Sequence, residues 1–236
     1  MRIALFGHGA MGRVVAESAR AAGHEIGAVF TTANSVDAPR RLPGHTVAID
    51  FTAADGVLAH VEAAAAAGVP LVQGTTGWQR DEAKIRQVVQ AAGERGALVY
   101  GANFSIGVNL FYRLVARAAQ LFRPGNGYDA FIEEAHHARK RDAPSGTALT
   151  LQSILTRELG VERVPVASTR AGNIPGTHRV GFDSAADQVV LVHTARSRAA
   201  FAAGALLAAG WIVGKHGVHP FPEVLDDILK GGGGTT

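Results

Sequence analysis

The sequence predicts an α/β protein, with a doubly wound parallel sheet first and a smaller α+β domain after it. Three observations carry this. Over residues 1 to about 103, short apolar runs alternate with helical stretches, the rhythm of parallel strands joined by crossover helices. The first apolar run ends on a glycine-rich turn, Gly7-His8-Gly9-Ala10-Met11-Gly12. After Gly101 the rhythm changes, and three apolar runs between about 164 and 193 follow one another closely, as in a mixed or antiparallel sheet.

In order, strands are predicted at residues 2–6, 25–30, 47–50, 71–73 and 97–100, each a short β-rich run bounded by Gly, Pro or Thr. Helices are predicted at about 10–22, 54–67 and 79–92, and Thr52 with Asp55 reads as a capping-box start for the second of them. The second segment reads as a helix over about 107–122, a strand near 130–134, a polar loop and a helix over 145–159. Strands near 164–169, 179–183 and 188–193 follow, then helices at 198–213 and 222–229. The first domain is therefore expected at 1–103, completed by 215–236, and the second at 104–214. A cleft between them, with crossings near 103–105 and 215–219, is expected to close on a ligand. The glycines from Gly231 to Gly234 read as a flexible tail.

Composition narrows the function classes. Of the 236 residues, 47% are hydrophobic, enough for a sizeable core. There is no cysteine, which excludes disulfides and thiolate metal sites and suits a cytoplasmic setting. A net charge of +3, with 18% charged residues, is too mild to imply nucleic acid but suits an anionic substrate. The longest apolar run, about 201–213, is too short and too rich in Ala and Gly for a bilayer span, and reads as a buried helix. The opening Arg2-Ile3-Ala4-Leu5-Phe6 reads as a strand and lacks a signal-peptide pattern.

Gly7 to Gly12 match GxGxxG directly after a strand and opening a helix, the setting of a Rossmann-type dinucleotide site. Glycines let the backbone turn tightly and approach a pyrophosphate, and the helix N-terminus offers free N–H groups and a positive dipole end. The expected contacts are Gly7, His8, Gly9, Ala10, Met11 and Gly12. An acid ending the second strand would bind the ribose hydroxyls of NAD and repel the extra phosphate of NADP. Phe30-Thr31-Thr32-Ala33-Asn34-Ser35 carries no carboxylate. Thr31 and Thr32 could hydrogen-bond a phosphate, with Arg13, Arg40 or Arg41 supplying charge, so NADPH is expected to serve at least as well as NADH. The same threonines read equally as a plain strand end. Gly74-Thr75-Thr76-Gly77 and Gly101-Ala102-Asn103-Phe104 each follow a predicted strand, where doubly wound sheets bind ligands. Small residues at Gly74, Thr75 and Thr76 would leave room for a nicotinamide ring, and a plain turn fits them as well.

The densest chemistry lies from Glu134 to Ala148, in Glu134-Ala135-His136-His137-Ala138-Arg139-Lys140-Arg141-Asp142-Ala143-Pro144-Ser145-Gly146-Thr147-Ala148. Histidine gives and takes protons near neutrality, and lysine adds a cation and a proton. Pro144 forbids helix before it and suits a first turn. Backbone N–H groups of Gly146 and Thr147 would then point out of a helix N-terminus at a carboxylate, which Gly146 lets come close. Other readings stand beside this one: paired histidines in a solvated loop, and a surface charge run or nucleic-acid contact at Arg139-Lys140-Arg141. No metal is expected, because adjacent histidines seldom ligate one ion and no cysteine or clear third ligand is at hand.

At these residues the sequence resembles the dihydrodipicolinate reductase family, whose motif has the form E-x-H-H-x-x-K-x-D-A-P-S-G-T-A; every fixed position is met from Glu134 to Ala148. The resemblance extends to Gly74-Thr75-Thr76-Gly77, to Ala102-Asn103-Phe104-Ser105-Ile106-Gly107-Val108-Asn109, and to Ser197-Arg198 with Phe201-Ala202-Ala203-Gly204-Ala205-Leu206. It implies an NAD(P)H-dependent oxidoreductase that reduces 4-hydroxy-tetrahydrodipicolinate to tetrahydrodipicolinate with loss of water, in lysine and diaminopimelate synthesis. It implies that His136 is the catalytic proton donor and acceptor and Lys140 a second proton donor. His137, Ser145, Gly146 and Thr147 would contact a small cyclic dicarboxylate. Cofactor contacts are implied at Gly7 to Gly12, Gly74 to Thr76, and Gly101 to Phe104, and so is a homotetramer built through the second domain's sheet. Many members have a glycine loop one residue longer and an acid after the second strand; this chain has neither. Two rivals remain: another two-domain dehydrogenase, of aspartate or a sugar, would lack the His-His, Lys and Ser-Gly-Thr combination, and a non-catalytic dinucleotide sensor would use the basic run on nucleic acid.

Overall fold

A computed structural model describes residues 1–34, 37–123 and 127–231. Ser35 and the glycines 232–234 lie outside the described residues. Along the chain, β1 (Arg2–Phe6) leads to α1 (Ala10–Ala21), β2 (Glu25–Phe30), α2 (Ala38–Arg41), β3 (Val47–Asp50), α3 (Val57–Ala67), β4 (Leu71–Gln73), α4 (Glu82–Ala91) and β5 (Ala97–Tyr100). Next come α5 (Ile106–Leu121), β6 (Asp129–His136), α6 (Gly146–Leu159), β7 (Val166–Arg170), β8 (Thr177–Asp183) and β9 (Gln188–Thr194). The last elements are α7 (Ala199–Ile212), β10 (Gly217–Pro220) and α8 (Phe221–Gly231). They form two compact units: Met1–Ile106 with Arg198–Thr236, and Gly107–Ser197.

The first unit is a six-stranded sheet in the order β10-β5-β4-β3-β1-β2, parallel throughout, as the alternating rhythm predicts. Successive side chains of a strand point to opposite faces, and here both faces are covered. Ile3 and Leu5 join Val15, Ala16 and Ala19 of α1, Ala205 and Ala208 of α7, and Val224 of α8. Ala4 and Phe6 join Val57 and Val61 of α3 and Ile85 and Val89 of α4. The strand order reverses at β1, which lies between β2 and β3. A crevice opens at such a switch point, at the carboxyl ends of the strands.

Three expectations need correction. The helix near 198–213, assigned to the second domain from sequence, belongs to the first unit. Its small apolar residues, Ala202, Ala205, Ala208 and Ala209, are fully buried in the first unit's core. Strand β10 was not predicted, because Gly217-Val218-His219-Pro220 shows no apolar alternation; it is an edge strand, where a proline is tolerated. The helix expected over 54–67 opens with a tight turn, Ala54–Gly56, without a side-chain cap. The Thr52 N–H and hydroxyl both donate instead to Asp50 Oδ1, at 2.8 and 2.7 Å, so neither is left to make a capping box with Asp55.

The second unit is a four-stranded mixed sheet in the order β7-β6-β8-β9, with β6 and β7 parallel and the other pairs antiparallel. Phe111 and Val115 of α5 and Leu151 and Leu155 of α6 form its core with Ile132, Val180 and Phe182. Along β6 the buried positions are Ile132, Glu134 and His136. A two-residue period puts all three on one face. Among the described residues, no helix is long and apolar enough to cross a membrane.

A Cβ on Gly204 of α7 would run into the Phe104 carbonyl. Gly204→Ala is therefore expected to destabilise the protein by about 1–3 kcal/mol, the usual scale of overpacking. The check is the urea midpoint at constant slope; an unchanged midpoint would mean that α7 does not pack this closely.

Candidate active site

The carboxyl ends of β1, β3 and β4 carry the glycine loop and two short loops of small residues. Gly7 has φ 92, a conformation that L side chains rarely adopt, and a Cβ there would lie 2.7 Å from the Phe51 carbonyl oxygen. A Cβ on Gly12 would strike the Gly7 carbonyl, so α1 packs directly onto the loop. At Gly9, the N-cap of α1, a Cβ would meet nothing within 4 Å. The first turn of α1 carries no acid. This cradle fits a dinucleotide pyrophosphate: free N–H groups, a positive helix end and no side chain in the way. His8 and Ala10 are exposed. Met11, Phe51, Thr52, Gly74, Thr75 and Thr76 line a cavity of about 340 Å³.

The remaining predicted cofactor residues divide into surface and support. Thr32 is exposed, while the Thr31 N–H donates to Asn34 Oδ1 at 2.6 Å and closes the turn after β2. The Arg41 guanidinium lies 5.3 Å from the Phe30 ring centroid, beside the end of β2. Arg13 Nη1 donates to the His8 carbonyl at 3.2 Å. Thr76 is exposed but Thr75 is buried, with its N–H on Gln73 Oε1 at 2.7 Å and its carbonyl accepting from Trp78 Nε1 at 2.8 Å. After β5, Gly101 and Ala102 are partly or fully exposed and Asn103 Oδ1 accepts from the Ser105 N–H at 2.9 Å. Phe104 is buried against Phe221 and Phe51.

In the second unit, His136 is the last residue of β6, a strand end and not a solvated loop residue. Its Nδ1 faces Glu134 Oε2 at ion-pair distance. Glu134 Oε1 accepts from Arg170 Nη2 at 2.6 Å and from the Ser145 N–H at 3.3 Å. Burial would raise the Glu134 pKa, but hydrogen bonds from Arg170 and Ser168 and the charges of His136 and Arg170 take it down to about 2. Burial lowers the His136 pKa against the opposing pull of Glu134, with Lys140 and Arg170 also lowering it. Burial thus disfavours the charged imidazole, whose Nδ1 is turned towards the carboxylate. A Cβ on Gly176 would lie 3.2 Å from His136 Nε2, so a bare backbone flanks that nitrogen.

The start of α6 meets the same carboxylate. Ser145 is its N-cap and Pro144 precedes the cap, outside the first turn. Ser145 Oγ accepts from the Ala148 N–H at 3.2 Å and lies 3.0 Å from His178 Nε2. Ser145 is buried and its polar atoms are engaged internally, whereas Gly146 is exposed and a Cβ on it would meet nothing within 4 Å. The Thr147 hydroxyl shares hydrogen bonding with Tyr112. Lys140 Nζ pairs with Asp142 Oδ1 at 2.8 Å, and the Lys140 side chain is 26% exposed, open enough to reach an anion. His137 is half-buried and follows the last residue of β6.

Two residues here were missed from sequence. Arg170 ends β7 and also donates to the Asp142 carbonyl at 2.5 Å. His178, on β8, packs edge-on to His136 with ring centroids 5.1 Å apart. Burial, aided by the nearby His136, depresses its pKa to about 4. His178 is also the third candidate ligand that spacing did not reveal, because Glu134, His136 and His178 have ligand atoms within 4.8 Å of one another. Arg170 already occupies that carboxylate and competes with any cation for it.

The family profile described as "Dihydrodipicolinate reductase, N-terminus" matches residues 1–104, and that described as "Dihydrodipicolinate reductase, C-terminus" matches residues 107–225. The chain belongs to the dihydrodipicolinate reductase family. A protein of Christiangramia forsetii named 4-hydroxy-tetrahydrodipicolinate reductase is 36% identical over 98% of this chain and 100% of its own. One of the same name from Thiobacillus denitrificans is 40% identical over 86% of this chain and 83% of its own. In fold, the chain is similar to a dipicolinate-bound dihydrodipicolinate reductase from Paenisporosarcina sp. TG-14, with TM-score 0.75 and 20% identity over 93% of this chain and 97% of the other. An amine dehydrogenase from Mycobacterium smegmatis shares the fold at TM-score 0.63 and 9% identity, covering 94% of this chain and 95% of the other. The chain is accordingly an NAD(P)H-dependent oxidoreductase.

The depressed pKa values set a pH dependence of stability. Folding lowers Glu134 from 4.5 to about 2 and His178 from 6.5 to about 4, so the unfolded chain takes up these protons first. Stability is expected to be full above about pH 6.5 and to decline through the histidine window and then the carboxylate window as pH falls. His178 alone contributes up to about 3 kcal/mol to that decline. Thermal unfolding of wild type and His178→Gln at pH 7 and pH 4.5 checks this, and equal loss in both would clear His178 of the effect.

Proposed function

We propose that the chain carries out the reaction its relatives are named for: reduction of 4-hydroxy-tetrahydrodipicolinate to tetrahydrodipicolinate, with loss of water, in lysine and diaminopimelate synthesis. The observation that carries this is the meeting of His136, on its buried carboxylate, with the open N-terminus of α6. A bound NADPH or NADH supplies the hydride. The Gly146 and Thr147 N–H groups hold one substrate carboxylate at the helix end, and His137 is a further contact to the substrate. Lys140 attracts the dianion and donates a proton. His136 exchanges a proton at Nε2, and Glu134 steadies the imidazolium that forms when it is charged. Ser145 acts from behind, as the cap that orients these N–H groups. Gly7 to Gly12, Gly74, Thr76 and the 101–104 turn would receive the cofactor.

NADPH is the cofactor this reading favours. No carboxylate follows β2 within Phe30-Thr31-Thr32-Ala33-Asn34, and Arg41 stands over Phe30 where an added phosphate would need a cation. A cytoplasmic homotetramer also belongs to the proposal; Val189 and Val192 of the edge strand β9 are exposed, as an interface through that sheet would require.

A coupled assay with the product of dihydrodipicolinate synthase, following NADH and NADPH oxidation in parallel, tests the reaction. His136→Gln or Lys140→Ala is expected to lower kcat about 100-fold or more, the scale of a lost acid–base group, with nucleotide affinity nearly unchanged. Thr147→Val keeps its N–H and should raise KM more than it lowers kcat. Near-normal turnover in both the His136 and Lys140 variants would move the chemistry elsewhere. Arg41→Ala should raise KM for NADPH and leave that for NADH alone; a wild-type preference for NADH beyond about tenfold, or roughly 1.4 kcal/mol, would remove the cofactor assignment while sparing the reaction.

A further inference from the structure

The first unit contains a buried polar cluster that none of these roles uses. Asp50, at the end of β3, is fully buried, and among the described residues its only ionisable partner is His60. Oδ1 accepts from the Thr52 N–H at 2.8 Å and the Thr52 hydroxyl at 2.7 Å. Oδ2 faces His60 Nδ1 at 2.7 Å and accepts from Gln73 Nε2 at 2.8 Å. Gln73, at the end of β4, turns its Oε1 to the Thr75 N–H at 2.7 Å. The Thr75 hydroxyl accepts from the Thr52 N–H at 2.9 Å and sits 3.5 Å from Asp50 Oδ1. The His60 ring stacks on Phe6, with centroids 4.2 Å apart, directly before Gly7. One carboxylate thus ties the ends of β3 and β4 together and, through the His60 ring, reaches the end of β1.

A buried carboxylate is costly unless donors surround it, and apolar packing would hold these strand ends without that cost. The donors point to a different purpose. Thr52 and Thr75 belong to the two loops that line the cavity beside Met11. The N–H, hydroxyl and carbonyl of Thr75 are all engaged inside, which leaves Thr76 as the exposed residue of its loop. A binding site keeps its geometry when side chains behind it lock the rotamers in front. We propose that Asp50, His60 and Gln73 are positioning residues that fix the loops after β3 and β4 in the geometry that receives the nicotinamide half of the cofactor. Thr75 is then a part of that support and acts on the cofactor through its loop. The proposal rests on the reading of the first unit as the NAD(P)H site.

The test is nucleotide affinity, measured by fluorescence titration with NADPH and NADH, apart from turnover. Asp50→Asn puts an amide where the carboxylate accepted from Gln73 or His60, and Thr75→Val removes the hydroxyl while keeping shape. Each is expected to weaken both nucleotides by about tenfold or more, whereas Thr75→Ser, which keeps the hydroxyl, stays within about twofold. Pyridine-2,6-dicarboxylate, a probe of the second unit, should bind all of them within about twofold of wild type. The Asp50→Asn/Thr75→Val double variant should lose no more than its worse single variant, because both act through the same loops. Should Asp50→Asn fail to fold, the two Thr75 variants decide. A folded Thr75→Val protein that binds nucleotide like wild type overturns the proposal, as do equal losses in Thr75→Ser and Thr75→Val, or losses that add in the double variant. A wild-type protein that binds neither nucleotide overturns the reading of the first unit and this proposal with it.

Discussion

The second unit is organised around one buried carboxylate. Glu134 is 2% exposed, so it must be bonded on both oxygens or not be there at all. Its partners come from three elements: His136 of β6, Ser145 at the start of α6, and Arg170 of β7. Each contact that satisfies the charge also fixes the position of the group that makes it. The imidazole is turned with Nδ1 to the carboxylate, the helix N-terminus is brought to the same carboxylate, and the guanidinium offsets a charge that would otherwise favour protonated histidine. Removing one partner leaves the others with an uncompensated charge, which is why such clusters tolerate single changes poorly.

The first unit solves its problem in another way. What it presents at the start of α1 is main chain: the Gly7 turn and helix N–H groups without a side-chain cap. Side chains matter mainly where they must be missing. Gly7 and Gly12 are held to glycine by the carbonyls they would strike, and Gly9 leaves open space. The first unit thus offers a backbone surface at its glycine loop, and the second a buried cluster of charged and imidazole side chains.

Much of this was legible in the sequence, for reasons that can be named. A glycine pattern between a strand and a helix reports local backbone geometry, so Gly7 to Gly12 could be placed without knowing the fold. Glu134 and His136 two residues apart report a shared strand face, once β6 is known to run through His136. Arg170 and His178 were not legible, because they reach the carboxylate from other strands, 36 residues from Glu134 in the case of Arg170. Thr75 looked like a contact because its neighbours are small, and only its partners reveal that its polar groups are occupied. The home of α7 was missed because Ala- and Gly-rich apolar sequence fits either unit, and strand β10 because pairing to β5 leaves no mark in four residues.

The separation of α7, β10 and α8 from the rest of their sheet has a temporal consequence. Residues 107–197 form a continuous stretch and can fold as soon as they are synthesised. The unit that begins the chain must wait for the last elements, because Phe221 and Ala205 fill its core and β10 covers the edge of β5. Until then a parallel sheet stands with one face thinly covered and an unpaired edge, a state in which strands recruit partners from other chains. The stretch made before residues 107–197 is therefore completed only by the stretch made after them, and conditions that slow synthesis between the two should raise the fraction lost to aggregation.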